Sequence, residues 1–146
     1  MRAKPFLIGF IATIAGVAAV SFYISATIDK ADKSVTAVAS PDGKYKAVRV
    51  SLAGGGAAPF CFDTISVFLS VYPDNFAERE SKYYEVYGAL CAAPAKRAGL
   101  PTIEWLSNSS VRITYAPDMA AADAKTPRLK TIDASKFVHV TFVARD

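Results

Sequence analysis

From Pro5 to Ile28 the chain runs for 24 residues without a charge, PFLIGFIATIAGVAAVSFYISATI. No other feature constrains the fold as strongly. At about 1.5 Å per residue, roughly 20 apolar residues in a helix cross a hydrocarbon core about 30 Å thick. The run therefore predicts one N-terminal transmembrane helix, residues 1–28 serving as a membrane anchor. Phe22 and Tyr23 fall near its far end, where aromatic side chains settle at the interface. A cleaved secretory signal is the alternative: Arg2 and Lys4 form a basic head, Phe6–Ala18 an apolar core, and Ala19-Val20-Ser21 a cut site near Ser21. Both readings export the rest of the chain. The lysine and arginine count is level on the two flanks, Arg2 and Lys4 against Lys30 and Lys33. The signal-like basic head and the pair of cysteines, Cys61 and Cys91, place the C-terminal domain outside the cytoplasmic membrane, on the periplasmic or extracellular side. Ala12 and Gly16, like Ala15 and Ala19, are four residues apart, a spacing at which two membrane helices can approach closely.

With residues 29–33 as a short polar spacer, residues 34–146 remain, enough for one domain. The formal charge is +4, yet from residue 29 onward 15 Lys/Arg stand against 13 Asp/Glu, interspersed. Nucleic-acid binders concentrate basic charge on one face to neutralise phosphates, so nucleic acid is not an expected partner. Cys61 and Cys91 are the only cysteines. In an exported domain an even number of thiols favours a disulfide, and two buried free thiols are the alternative. A structural zinc site normally takes four ligands. Two separated cysteines and the single His139 do not supply them, and no metal or cofactor is expected.

Strand signals recur along the rest. Ser34–Ala39 runs into Ser40-Pro41-Asp42-Gly43, where proline presets φ and glycine accepts φ > 0. In Lys44–Leu52, Val48, Val50 and Leu52 alternate with Tyr45, Arg49 and Ser51. Ala53–Pro59 holds three consecutive glycines but leads into a strand, Phe60–Tyr72, and lacks the helix and Lys-Ser/Thr pair of a phosphate loop. Pro73–Lys82 reads as a polar connection or a single helical turn. Tyr83–Cys91 reads as a strand with Tyr83, Glu85, Tyr87 and Ala89 on one face, and Tyr83, Tyr84 and Tyr87 form a candidate contact surface. Thr102–Leu106 and Val111–Tyr115 make a second hairpin, and Lys136–Arg145 a closing strand; Ala92–Pro101 and Ala116–Lys130 read as loops. About seven strands and no amphipathic helix predict an all-β fold, an antiparallel sandwich or small open barrel.

No catalytic constellation stands out. His139 has no neighbouring nucleophile elbow, and Asp63, Glu85 and Glu104 sit in separate strands with no sign of an acid pair. The segment Ser40-Pro41-Asp42-Gly43-Lys44-Tyr45 resembles the hairpin of periplasmic β-propeller blades, but a propeller needs about four copies and this chain has one. Residues 40–50, 55–71, 101–115 and 138–143 together more closely resemble small bacterial β domains of unknown function that follow a membrane anchor or lipoprotein signal. That resemblance covers under half the chain. It implies an exported domain and carries no activity or functional residues. The expected role is a membrane-anchored binding or accessory module contacting another envelope protein, not an enzyme. A released periplasmic inhibitor or ligand-binding protein is the alternative, and a hydrolase with an unrecognised site the third.

Overall fold

The Ser-Pro-Asp-Gly turn organises the first hairpin through the short polar side chains that suggested it. Gly43 adopts φ 70°, which a side chain would strain. The Ser40 hydroxyl donates to Asp42 Oδ1 at 2.6 Å, Lys44 N–H donates to the same oxygen at 3.1 Å, and Tyr45 N–H donates to Ser40 Oγ at 3.0 Å. The hydroxyl's hydrogen bond holds the Asp42 carboxyl below the usual carboxylate range, and the Lys44 amide adds to the effect. The structure, a computed structural model, describes residues 32–54, 60–91, 101–116 and 127–145. The expected N-terminal helix lies outside the described residues. Among those described, no helix is long and apolar enough to cross a membrane.

In order come β1 (Asp32–Ala39), β2 (Tyr45–Gly54), β3 (Phe60–Leu69), two short helices α1 (Phe76–Arg79) and α2 (Ser81–Tyr84), and β4 (Glu85–Leu90). There follow β5 (Thr102–Ser107), β6 (Ser110–Tyr115), β7 (Arg128–Leu129) and β8 (His139–Ala144). They form a five-stranded sheet, β1-β2-β3-β4-β7, and a three-stranded sheet, β5-β6-β8. The chain is mostly β and its two sheets pack as a sandwich. β1 already includes Asp32 and Lys33, the last two residues of the expected spacer.

The core between the sheets joins Tyr45, Ala47, Ile65, Val67, Val86 and Tyr87 to Val111, Ile113, Val138 and Val140. Each such buried aliphatic side chain contributes about 1.5–3 kcal/mol through removal from water. The five-stranded sheet is also covered on its outer face. There Val48, Val50 and Phe68 bury against Ala77, with Phe76 and Tyr84 packed alongside. Four-residue helices do not persist alone; here an apolar sheet face holds them.

Two expectations change. The strand expected at Tyr83–Cys91 starts only at Glu85, because Ser81–Tyr84 is helical. Ile65 pairs with Tyr87 while Ser66 pairs with Glu85, so Val86 is the extra residue of a bulge. The bulge sends both Val86 and Tyr87 into the core and turns Glu85 off their face. The second change is that β8 pairs with β6 in parallel, so the sandwich is not wholly antiparallel. The chain between β6 and β8 returns to the far end before β8 begins, as a parallel neighbour requires. On the way β7, inside the stretch read as loop, adds to β4 through Tyr87 and Leu129.

Cys61 and Cys91 form a disulfide, Cα atoms 5.2 Å apart, joining β3 to β4. Cys61 registers with Ala53 and Ala53 with Asp32, so the disulfide marks the end of the sandwich where β1 begins. The opposite end holds the Ser40–Lys44 turn, the helices and the loop before β8.

Candidate functional site

That opposite end carries an aromatic-walled recess of about 170 Å³. Tyr45 and Phe68 form its floor with Leu69, and Tyr72, Tyr83 and Tyr84 one wall. The other wall is the loop Asp133–Ser135. Strand geometry places the floor, since Tyr45 registers with Leu69 at the last pair of β2 and β3. The helices place the tyrosines. Tyr72 stacks on Phe76 at 4.6 Å and 10°, while Tyr84 meets Phe76 at 5.2 Å and Tyr83 edge-on at 4.9 Å. Offset and edge-to-face contacts of this kind add about 0.5–1.5 kcal/mol each beyond area burial.

Asp133, 3% exposed, shapes the second wall. Its Oδ1 accepts from Phe137 N–H at 3.0 Å and Val138 N–H at 2.8 Å, and its Oδ2 from Ser135 N–H at 3.0 Å and the Ser135 hydroxyl at 2.6 Å. With Lys136 N–H bonded to Asp133 O at 3.0 Å, this holds Lys136 at φ 63°, a conformation a side chain disfavours by about 1–2 kcal/mol. The result presents Phe137 to Tyr45, the rings stacked at 5.4 Å and 13°, with Lys44 Nζ 5.3 Å above the Phe137 ring. Lys46 is held against Asp74 at 2.6 Å and lies over Phe68.

Exposed apolar side chains line the recess or lie within two residues of its lining. Tyr83 is 64% exposed, Phe137 48% and Val71 82%. Tyr84 is half-buried as a residue; partial loss of water pushes its pKa above the ordinary phenol range, with Tyr72, Tyr83 and Glu80 adding to the rise. Charges in the surrounding segments nearly balance: Lys44, Lys46, Arg79, Lys82, Lys130 and Lys136 face Asp42, Asp74, Glu78, Glu80 and Asp133. Contact here would rest on ring faces rather than on a one-signed field. The volume suits a single large side chain or a ring of similar size.

Of the three tyrosines expected to form a contact surface, Tyr83 and Tyr84 meet here. Tyr87 does not: it is 3% exposed in the sandwich core, and burial raises its phenol pKa above the usual range, with Asp63 and Tyr115 adding to the rise. The bulge at Val86 separates it from the other two. Sequence reading missed Tyr45, Tyr72, Phe137 and the Asp133 cage; only the Asp-x-Ser pair at 133 and 135 was a legible turn signal.

The acidic residues noted in strands lie apart. Asp63 is buried in phase with Ile65 and Val67 and accepts a hydrogen bond from the Ser51 hydroxyl. Glu85 is on the outer face, bonded to Arg128 at 3.0 Å. Gly88 leaves room for that pair, because a Cβ there would stand 2.8 Å from Glu85 Oε1. Burial pushes the Glu85 carboxyl up, against the opposing pull of Arg128 and Lys130. Glu104 is exposed and pairs with Arg112 at 3.1 Å. His139 is exposed on β8, out of phase with the buried Val138 and Val140. Among the described residues no group of three or more His, Cys, Asp or Glu could hold a metal ion.

Comparison with known proteins finds no matching family model, no similar curated protein and no similar solved structure.

Proposed function

We propose that this chain is a membrane-anchored, extracytoplasmic accessory module that docks on another envelope protein through the aromatic recess. One observation carries the reading: Tyr72 and Tyr83, 39% and 64% exposed, line a recess whose walls are fixed by the Asp133 cage and by stacked rings. Aromatic side chains held rigid around a pocket lose little conformational freedom on binding and are frequent hot spots. The recess has room for one apolar or aromatic anchor side chain of a partner.

Its place in the chain supports the same reading. β1 leaves the N-terminal segment at the disulfide end, and its eight residues span about 26 Å at 3.3 Å each. The recess sits beyond the far end of that strand. An anchor formed by residues 5–28 would join the domain at the end opposite the recess and leave the recess clear of the point of attachment, open to neighbouring proteins.

The test is a photo-crosslinking amino acid placed at Tyr83, and separately at Thr141 on the exposed side of β8, in native membranes. The expected result is one discrete adduct from position 83 and none from position 141. The purified partner should then bind a Tyr83→Ala variant about tenfold more weakly, the effect of one interface aromatic worth about 1.4 kcal/mol. Equal labelling from both positions, or none from either, refutes docking through the recess. A domain recovered only in the soluble fraction would favour the released ligand-binding alternative.

A further inference from the structure

β1 is the outer strand of the five-stranded sheet, and every residue from Asp32 to Ala37 is exposed. The hairpin shows which of its backbone groups are in use. Ser40 N–H donates to Tyr45 O at 2.8 Å, and Ser70 N–H donates to Lys44 O at 3.0 Å. The backbone groups of Tyr45, Ala47, Arg49 and Ser51 therefore point toward β1, and those of Lys44, Lys46 and Val48 toward β3. Antiparallel ladders alternate bonded and non-bonded pairs. The registered pairs Val38/Ala47, Thr36/Arg49 and Ser34/Ser51 are thus the bonded ones. The N–H and C=O of Lys33, Val35, Ala37 and Ala39 point away from the sheet, and no strand among the described residues takes them.

Native sheets blunt such edges with prolines, bulges, lysines or a covering segment. β1 has no proline and pairs with β2 over its whole length without a register shift. Its one lysine, Lys33, is turned onto α1 by its 2.9 Å ion pair with Glu78. Val35 remains 39% exposed on the outer face.

We propose that this edge pairs antiparallel with β1 of a second copy of the chain, about a two-fold axis at Val35. Val35 then exchanges hydrogen bonds with the partner's Val35, and Lys33 with the partner's Ala37, giving about six bonds. The two valine side chains cover each other on the outer face, and two five-stranded sheets become one. This rests on the membrane-anchor reading and is independent of the recess.

The chain preceding β1 argues for a second copy over an unrelated peptide. Only Asp29, Lys30 and Ala31 separate the apolar run from β1, so copies in one membrane hold β1 close to its surface, and a two-fold axis along the membrane normal lays the paired edges parallel to that surface. A two-fold axis at Val35 sets the two copies' Asp32, where the linking residues join β1, six residues or roughly 20 Å apart along the strand. Three linking residues reach up to about 10 Å on each side. The two apolar runs can then close to helix-contact distance, about 8–10 Å, where the small residues at 12, 16, 15 and 19 permit close approach. One strand pair alone buries less than the roughly 1,200 Å² of a stable interface. Confinement to the membrane supplies the effective concentration that the edge lacks.

The test uses the full-length chain in native membranes with Val35→Cys, oxidised mildly. Bonded antiparallel partners sit about 5.5 Å apart at Cα, within disulfide reach, so Val35→Cys should form a covalent dimer. Ala37→Cys, offset by roughly 13 Å from its copy, should not. Adding Ala37→Pro to Val35→Cys should reduce the dimer about tenfold or more, while Trp105 fluorescence stays native. Proline at that outward position removes no bond of the fold. No dimer from membrane-bound Val35→Cys, equal crosslinking at both positions, or an unaffected Ala37→Pro double variant overturns the pairing. Recovery of the intact chain in the soluble fraction overturns the anchor reading, and the pairing with it.

Discussion

Asp133 offers the sharpest test of how the recess is built. Asp133→Ala removes the acceptor for four donors, but the four do not count equally. Ser135 and Phe137 are exposed, so water can replace the carboxylate at their groups at little cost. Val138 is 0% exposed, and its N–H, now bonded at 2.8 Å, would be left buried and unpaired at about 1–3 kcal/mol. Losing the charge-assisted bonds that hold Lys136 at positive φ adds about another 1 kcal/mol. The expected total is about 3 kcal/mol. Asp133→Asn keeps one oxygen for Phe137 and Val138 and mismatches only the exposed Ser135 N–H, at about 1 kcal/mol. Urea unfolding followed by the single Trp105 measures both. The loop should also loosen in the folded state of Asp133→Ala, seen as faster amide exchange at Val138. A loss below about 0.5 kcal/mol for Asp133→Ala would refute the argument. Equal losses for the two variants would show that charge matters rather than acceptor placement.

Two further outcomes are expected from the fold. Reducing Cys61–Cys91, which are separated by 30 residues, should lower stability by about 3–4 kcal/mol on the chain-entropy model; an unchanged urea midpoint with reductant would contradict it. For Glu85, burial raises the folded carboxyl above its ordinary value of 4.5, so the folded state binds the proton more tightly than the unfolded one. Its contribution to stability is then greatest below pH 4.5 and is lost as pH rises through the higher folded value. Glu85→Gln should flatten that part of the stability profile, and parallel profiles for the two proteins would refute the assignment.

What the chain's residues determine alone is local and periodic. Ser40–Gly43 specifies a turn through short polar side chains and one glycine. Alternation in β2, β5, β6 and β8 sorts residues into faces, and Ile103, Trp105, Val111, Ile113 and Val140 reach the core as that alternation requires. Cys61, in phase with Ile65 and Val67, pairs with Cys91.

Period two does not say which face is covered when both are. Tyr45 and Val48 lie on opposite faces of β2, yet both are buried, one between the sheets and one beneath α1. Nor does it register the bulge at Val86, which depends on where β4 meets β3 and which removes Tyr87 from the surface tyrosines. The parallel pairing of β8 and the recess are tertiary in the same sense. Tyr45 and Phe137 are far apart in sequence, and they stack only because Asp133 ties its loop down beside the end of β2. Local chemistry sets each turn and each face; only the packing of two sheets and two short helices decides which faces meet and which rings remain exposed.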